Sequence, residues 1–160
     1  MLKNRRSSLV IDTLSKGIAG IDGDDVAVTY VYCDFSIRDM QSASAVLGSV
    51  LRQVVRALAE IPDGVQEAFE LAKTQVDGCG LRLPEILDML TKFLPSLNRA
   101  FICIDALDEF PTKQRGKLWN SLQRVVRECP NTRLTYSLLE GLRLERRWRS
   151  ISPKKLKWLQ

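Results

Sequence analysis

Two short apolar runs set the strongest limit on what this chain can fold into. Val26-Ala27-Val28-Thr29-Tyr30-Val31-Tyr32-Cys33 and Ala100-Phe101-Ile102-Cys103-Ile104 are apolar at odd and even positions alike. A strand reads this way when both of its faces are covered, as in a parallel sheet packed between helices. Parallel neighbours need a long crossover between them, and the text between these runs supplies one. From Ser42 to Ala59, Val46, Leu47, Val50, Leu51, Val54, Val55 and Leu58 form a broad helical stripe, with Arg52, Gln53 and Arg56 off it. Pro62 opens a second helix carrying Val65, Phe69, Ala72 and Val76, which Gly78 closes. Pro84 opens a third, Glu85 to Leu94, and Pro95 stops it.

The flanks continue the alternation. Leu9, Val10, Thr13 and Leu14 predict a helix ending at Gly17, ahead of the first strand. Gln114 to Cys129 reads as a helix with Leu118, Trp119, Leu122, Val125 and Val126 inward. After the break at Pro130-Asn131, the segment from Arg133 to Leu138 alternates as a third, weaker strand. Beyond Gly141 the text turns basic and irregular. The order calls for an α/β fold with a parallel sheet and right-handed crossovers. It places Val26–Cys33 beside Ala100–Ile104 in parallel, with Asp105 at the carboxyl edge.

Several function classes fall away on composition. The 160 residues contain no histidine, which removes Ser-His-Asp and Cys-His catalysis and His-based metal sites from this sequence. Cys33, Cys79, Cys103 and Cys129 are scattered with no C-x-x-C pair, and two lie in apolar strands where a thiol behaves as a small hydrophobe. Reduced cysteines suit the cytosol. No apolar run approaches the roughly 20 residues of a spanning helix, and Met1 to Lys16 lacks the apolar core of a secretory signal. A cytoplasmic location is expected.

The net charge of +5 is a property of the end of the chain. Residues 1–142 hold 17 Lys and Arg against 18 Asp and Glu, whereas residues 143–160 hold seven against Glu145 alone. The body is therefore no nucleic-acid binder by charge. The basic tail, with Trp148 and Trp158 among its cations, reads as a separate segment capable of weak binding to an anionic surface. Pro153 breaks any continuous amphipathic helix there.

The chemistry lies in Phe101-Ile102-Cys103-Ile104-Asp105-Ala106-Leu107-Asp108-Glu109. A buried strand ending in a carboxylate presents it at the edge where open α/β sheets bind ligands. Asp105 there suits Mg²⁺, which favours one or two carboxylates together with substrate phosphates. Asp108 and Glu109, one turn on, are placed to orient or deprotonate an attacking water. The plainer reading is that these acids favour the N-terminus of the following helix through its dipole.

At this point the sequence resembles the NACHT branch of signal-transducing P-loop ATPases, the STAND class, and especially its fungal form with a nephrocystin-type N-terminal module. Asp105-Ala106-Leu107-Asp108-Glu109 is similar to that family's Walker B segment. Tyr30-Val31-Tyr32-Cys33-Asp34, the helix from Ser42 to Val55, Arg99-Ala100-Phe101 and Cys129-Pro130-Asn131-Thr132-Arg133 resemble its flanking elements. The likeness covers residues 5 to 137. It implies a three-layer P-loop NTPase-like sheet, Mg²⁺ with ATP or GTP as cofactor, and a switch in proteins that self-associate or meet other signalling proteins and often carry repeats.

Two departures narrow that expectation. No G-x-x-x-x-G-K-[ST] loop occurs in the sequence, because Gly116-Lys117 has Pro111 and Leu118 where a glycine and a hydroxyl belong. The third strand runs into Tyr136-Ser137-Leu138-Leu139-Glu140-Gly141 with no sensor arginine. The expected picture is a partial NTPase domain over 1–142, lacking its first strand and P-loop, and a tail over 143–160. It would serve as a catalytically defective regulatory or assembly module. Two alternatives stand beside it: a working NTPase whose P-loop is lost only through a misassigned start, and an anion-binding module built on the tail.

Overall fold

The computed structural model describes residues 25–34, 36, 41–58, 60, 64, 67, 81–140 and 145–151. The predicted helix at Leu9–Leu14 lies outside them. So does the helix predicted from Pro62 to Gly78, apart from Gly64 and Glu67, which are helical. The remaining elements follow the expected order. Strand β1 is Val26–Tyr32, helix α1 Ala43–Ala57, helix α2 Leu83–Phe93 and strand β2 Arg99–Asp105. Helix α3 is Thr112–Glu128, strand β3 Thr132–Glu140 and strand β4 Glu145–Ile151.

Helices α1 and α2 start where the sequence provides a partner for a loose amide. The Ser42 hydroxyl accepts from the Ala45 N–H at 3.1 Å, which caps α1. Pro84 sits in the first turn of α2, and Glu85 reaches back to accept from the Arg82 N–H at 2.8 Å. Pro95 then diverts the chain into a short 3-10 turn, Leu94–Ser96. The Asn131 side-chain amide donates to the carbonyls of Leu94 and Leu97 at 2.7 and 2.6 Å, tying that turn to the entrance of β3.

The described sheet runs in the order β1-β2-β3-β4. The expected parallel pair is present, with Val26 opposite Arg99 and Tyr32 opposite Asp105. β2 and β3 are also parallel, with Ile104 opposite Tyr136. Because β1, β2 and β3 step in one direction, crossovers of the same hand put α1, α2 and α3 on one side of the sheet. The core bears this out. Ala27, Ala100, Ile102, Ile104 and Leu134, which share a face, join Leu47, Val50 and Val54 of α1, Leu90 of α2, and Leu118, Leu122 and Val125 of α3 in one apolar cluster.

Two expectations needed correction. β1 is not equally covered on both sides: Ala27 and Thr29 are buried, but Tyr30 and Tyr32 are 46% and 41% exposed. The physical reason is its position at the edge of the described sheet, with the described helices on one face only. The stretch beyond Gly141, expected to be irregular, contains β4, which pairs antiparallel with β3 from Leu134 opposite Ile151 to Glu140 opposite Glu145. Charged sequences are common on sheet edges, so a run of arginines is compatible with a strand that lies outermost. No helix among the described residues is long and apolar enough to cross a membrane.

Candidate functional site

Asp105 closes β2 at the carboxyl edge, and despite its charge it is only 6% exposed. A buried carboxylate needs donors, and β3 provides one. The Ser137 hydroxyl donates to Asp105 Oδ1 and accepts from the Ala106 N–H at 2.9 Å. Ser137 is fully buried. The β2–β3 register makes the contact: Ile104 lies opposite Tyr136, so the next residues along, Asp105 and Ser137, come together.

The chain then turns sharply. Ala106 adopts the left-handed conformation at φ 59°, a geometry unusual for a residue with a Cβ. Leu107–Glu109 form a 3-10 turn in which the Glu109 N–H donates to the Ala106 carbonyl at 2.8 Å. Phe110, fully buried, anchors the far end. The Arg115 guanidinium comes back from the first turns of α3 and donates to the carbonyls of Asp108 at 2.7 Å and Phe110 at 2.9 Å. So the turn bearing Asp108 and Glu109 is held from both sides, by Ser137 at its start and Arg115 at its end. Both acids are half-buried.

Cys33, immediately after β1, reports the field of this turn. Its N–H donates to the Asp105 carbonyl at 2.9 Å. Its thiol is pushed up to about 12 by burial first, and then by the negative charges of Asp105, Glu109 and Asp108, against a smaller opposing effect of Arg115. The charges of all three acids therefore reach the Cys33 thiol at the mouth between β1 and β2. Next to it, Asp34 Oδ1 accepts from the N–H and hydroxyl of Ser36 at 2.8 and 2.7 Å, fixing the exit from β1.

The helix-dipole reading of Asp108 and Glu109 does not fit this geometry. α3 begins at Thr112, its first turn holds no acid, and Phe110 and Pro111 separate it from the acidic turn. The dipole effect is confined to the terminal turn. Nor do the acids form a closed cage, since no group of three or more metal-ligating side chains converges among the described residues. What remains is a hard oxygen donor at Asp105 with two further carboxylates nearby. Mg²⁺ accepts such a donor set when phosphate oxygens and water complete its octahedron.

Sequence reasoning named the three acids but not Ser137 and Arg115, which hold the turn that carries them. Nothing marks Ser137 in a run of six residues read as a weak strand, because its role depends on a register across 32 residues. Arg115 was likewise lost among the exposed cations of an amphipathic helix.

Three parallel strands with helices packed on them make this an α/β fold. The sequence profile of the nephrocystin 3, N-terminal family matches residues 3–137, and the chain belongs to that family. The match takes in β1, β2, the acidic turn, α3 and the part of β3 that holds Ser137. Comparison with curated proteins and with solved structures finds no match.

Proposed function

We propose that this chain is a NACHT-type module derived from a P-loop NTPase, carrying the Mg²⁺ side of a nucleotide site and working in regulation or assembly without turnover of its own. The observation that supports this reading most is Asp105: a buried carboxylate at the end of β2, fixed by Ser137, with Asp108 and Glu109 on a pinned turn directly after it. Asp105 is the residue that would hold Mg²⁺, directly or through a water. Mg²⁺ bound there would neutralise charge on the phosphates of ATP or GTP. Asp108 and Glu109 are the groups able to accept a proton from a water at the mouth. Ser137 keeps Asp105 aimed, and Arg115 keeps the turn from unwinding.

Phosphoryl transfer rests on positioning and on charge stabilisation by loop amides, a lysine and the metal together. Within these 160 residues no Gly-rich lysine loop supplies the first two. Asp105 alone then binds free Mg²⁺ poorly, and nucleotide is held weakly. The reading assigns the module to a cytoplasmic signalling protein that meets copies of itself or other signalling chains.

The test is calorimetric titration of the purified chain with Mg-ATP and Mg-GTP, paired with phosphate release. The expected result is no turnover above buffer and no change on Asp108→Ala with Glu109→Ala. Micromolar affinity, or Mg²⁺-dependent turnover abolished by Glu109→Ala, would replace this reading with that of a working NTPase.

A further inference from the structure

On the outer edge of β1, the side turned from β2, lies a feature that the nucleotide reading does not use. Tyr30 and Tyr32 are large hydrophobic side chains left exposed, and their rings meet edge to face at 5.9 Å. Beside them runs α1, presenting Arg52 and Arg56 one turn apart, both exposed and neither in an ion pair with a described residue. The two tyrosines, the two arginines, Ser49 and Gln53 line a cleft of about 470 Å³. We propose that this cleft docks a short acidic peptide segment of a partner protein, its Asp or Glu side chains paired to Arg52 and Arg56 and its apolar atoms set against Tyr30 and Tyr32.

Three observations decide the kind of partner. The first is charge: two exposed guanidiniums one turn apart, without an ion-pair partner among the described residues, match carboxylates, which they bind as a planar fork. The second is the strand edge. The Gln53 amide accepts from the Tyr30 N–H at 3.0 Å and donates to the Tyr30 carbonyl at 2.9 Å. Those are the groups an added β-strand would need, so recognition proceeds through side chains and not by extension of the sheet. The third concerns nucleic acid, whose binding draws on many cations along a groove. Residues 1–142 carry 17 basic against 18 acidic residues, and two arginines do not make such a groove. Tyr and Arg together are the residue types that dominate protein–protein hot spots.

The experiment is fluorescence anisotropy of the full chain with a fluorescein-labelled decapeptide of alternating Glu and Gly, against a Lys-Gly decapeptide and a dT10 oligonucleotide. The Glu peptide should bind, weaken as salt is raised, and lose at least tenfold in affinity on Arg52→Ala with Arg56→Ala. Tyr30→Ser with Tyr32→Ser should weaken it independently. Because Arg52 and Arg56 are exposed, the thermal melt of the arginine variants should match the parent. Arg52→Glu with Arg56→Glu should transfer binding to the Lys peptide, a result that mere unfolding would not give. Absence of Glu-peptide binding, binding indifferent to the arginine changes, or tighter binding of dT10 would each overturn the proposal.

Discussion

Replacing Ser137 by alanine removes one oxygen and breaks two bonds at once. The Ala106 N–H loses its acceptor, and Asp105 Oδ1 loses its donor, at a position with no access to water. A buried amide left unpaired costs about 1–3 kcal/mol, and a lost hydrogen bond to a carboxylate about 1.5–3 kcal/mol. The two share one hydroxyl, so the losses overlap, and about 2–4 kcal/mol is the expected total. In a chain of this size each kcal/mol moves the melting temperature by roughly 2–4 °C, which puts the drop at about 4–16 °C. Urea denaturation followed by circular dichroism gives the free energy directly. A double-mutant cycle with Asp105→Ala should then show a coupling of about 0.5–3 kcal/mol, since Ser137 loses part of its purpose when the carboxylate is gone. A loss below about 0.5 kcal/mol, or strictly additive single effects, would show that Ser137 is not the residue fixing Asp105.

Other outcomes follow from the same geometry. Arg115→Ala should cost about 1.5–3 kcal/mol and speed amide exchange at Glu109 and Phe110, while Arg115→Lys, lacking the fork, should recover only part; unchanged exchange would rule out the pinning role. Gln53→Leu uncovers the Tyr30 N–H and carbonyl on the edge of β1, so light scattering should show more concentration-dependent association than the parent, and an unchanged mass distribution would count against edge protection by Gln53. The thiols of Cys33, Cys103 and Cys129 are pushed up from 9.0 to about 12, 11 and 11, burial being the first cause in each. The folded state therefore holds thiol protons that the unfolded state releases, and stability should fall as pH rises from about 9 towards 12. Cys33→Ala should flatten part of that slope in denaturation curves taken at pH 8 and 10.5, and an identical slope would disprove the assignment.

The parts of the fold legible in the sequence were those written in local pattern. β1 and β2 announced themselves by runs apolar at odd and even positions alike, and Asp105 by standing at the end of one of them. Pro84 and Ser42 marked helix starts because capping is a matter of neighbouring residues. The misses share a physical cause in long-range partnership. Ser137 acquires its meaning from a residue 32 positions away, and Arg115 from carbonyls that only a turned chain brings near it. β4 was read as irregular because a run of arginines hides the alternation that an apolar strand displays. The uneven burial of β1 was invisible for another reason, since tyrosine is as much at home on a wet face as in a core.

The order in which the strands lie side by side is also the order in which they are synthesised. Each described strand finds its partner already made, so none has to be threaded between two others. A nascent chain that has emerged through Asp105 holds both halves of the first parallel pair and most of the apolar surface that α1 and α2 cover. Growth then proceeds by accretion at one side, each step closing a loop over the last. β4 changes the direction of the chain and joins its neighbour as a hairpin, the cheapest pairing in loop entropy. Such a sheet is built for assembly on the ribosome from its first strand onward. Pulse proteolysis of stalled chains should find β1 and β2 protected before β3 has left the exit tunnel.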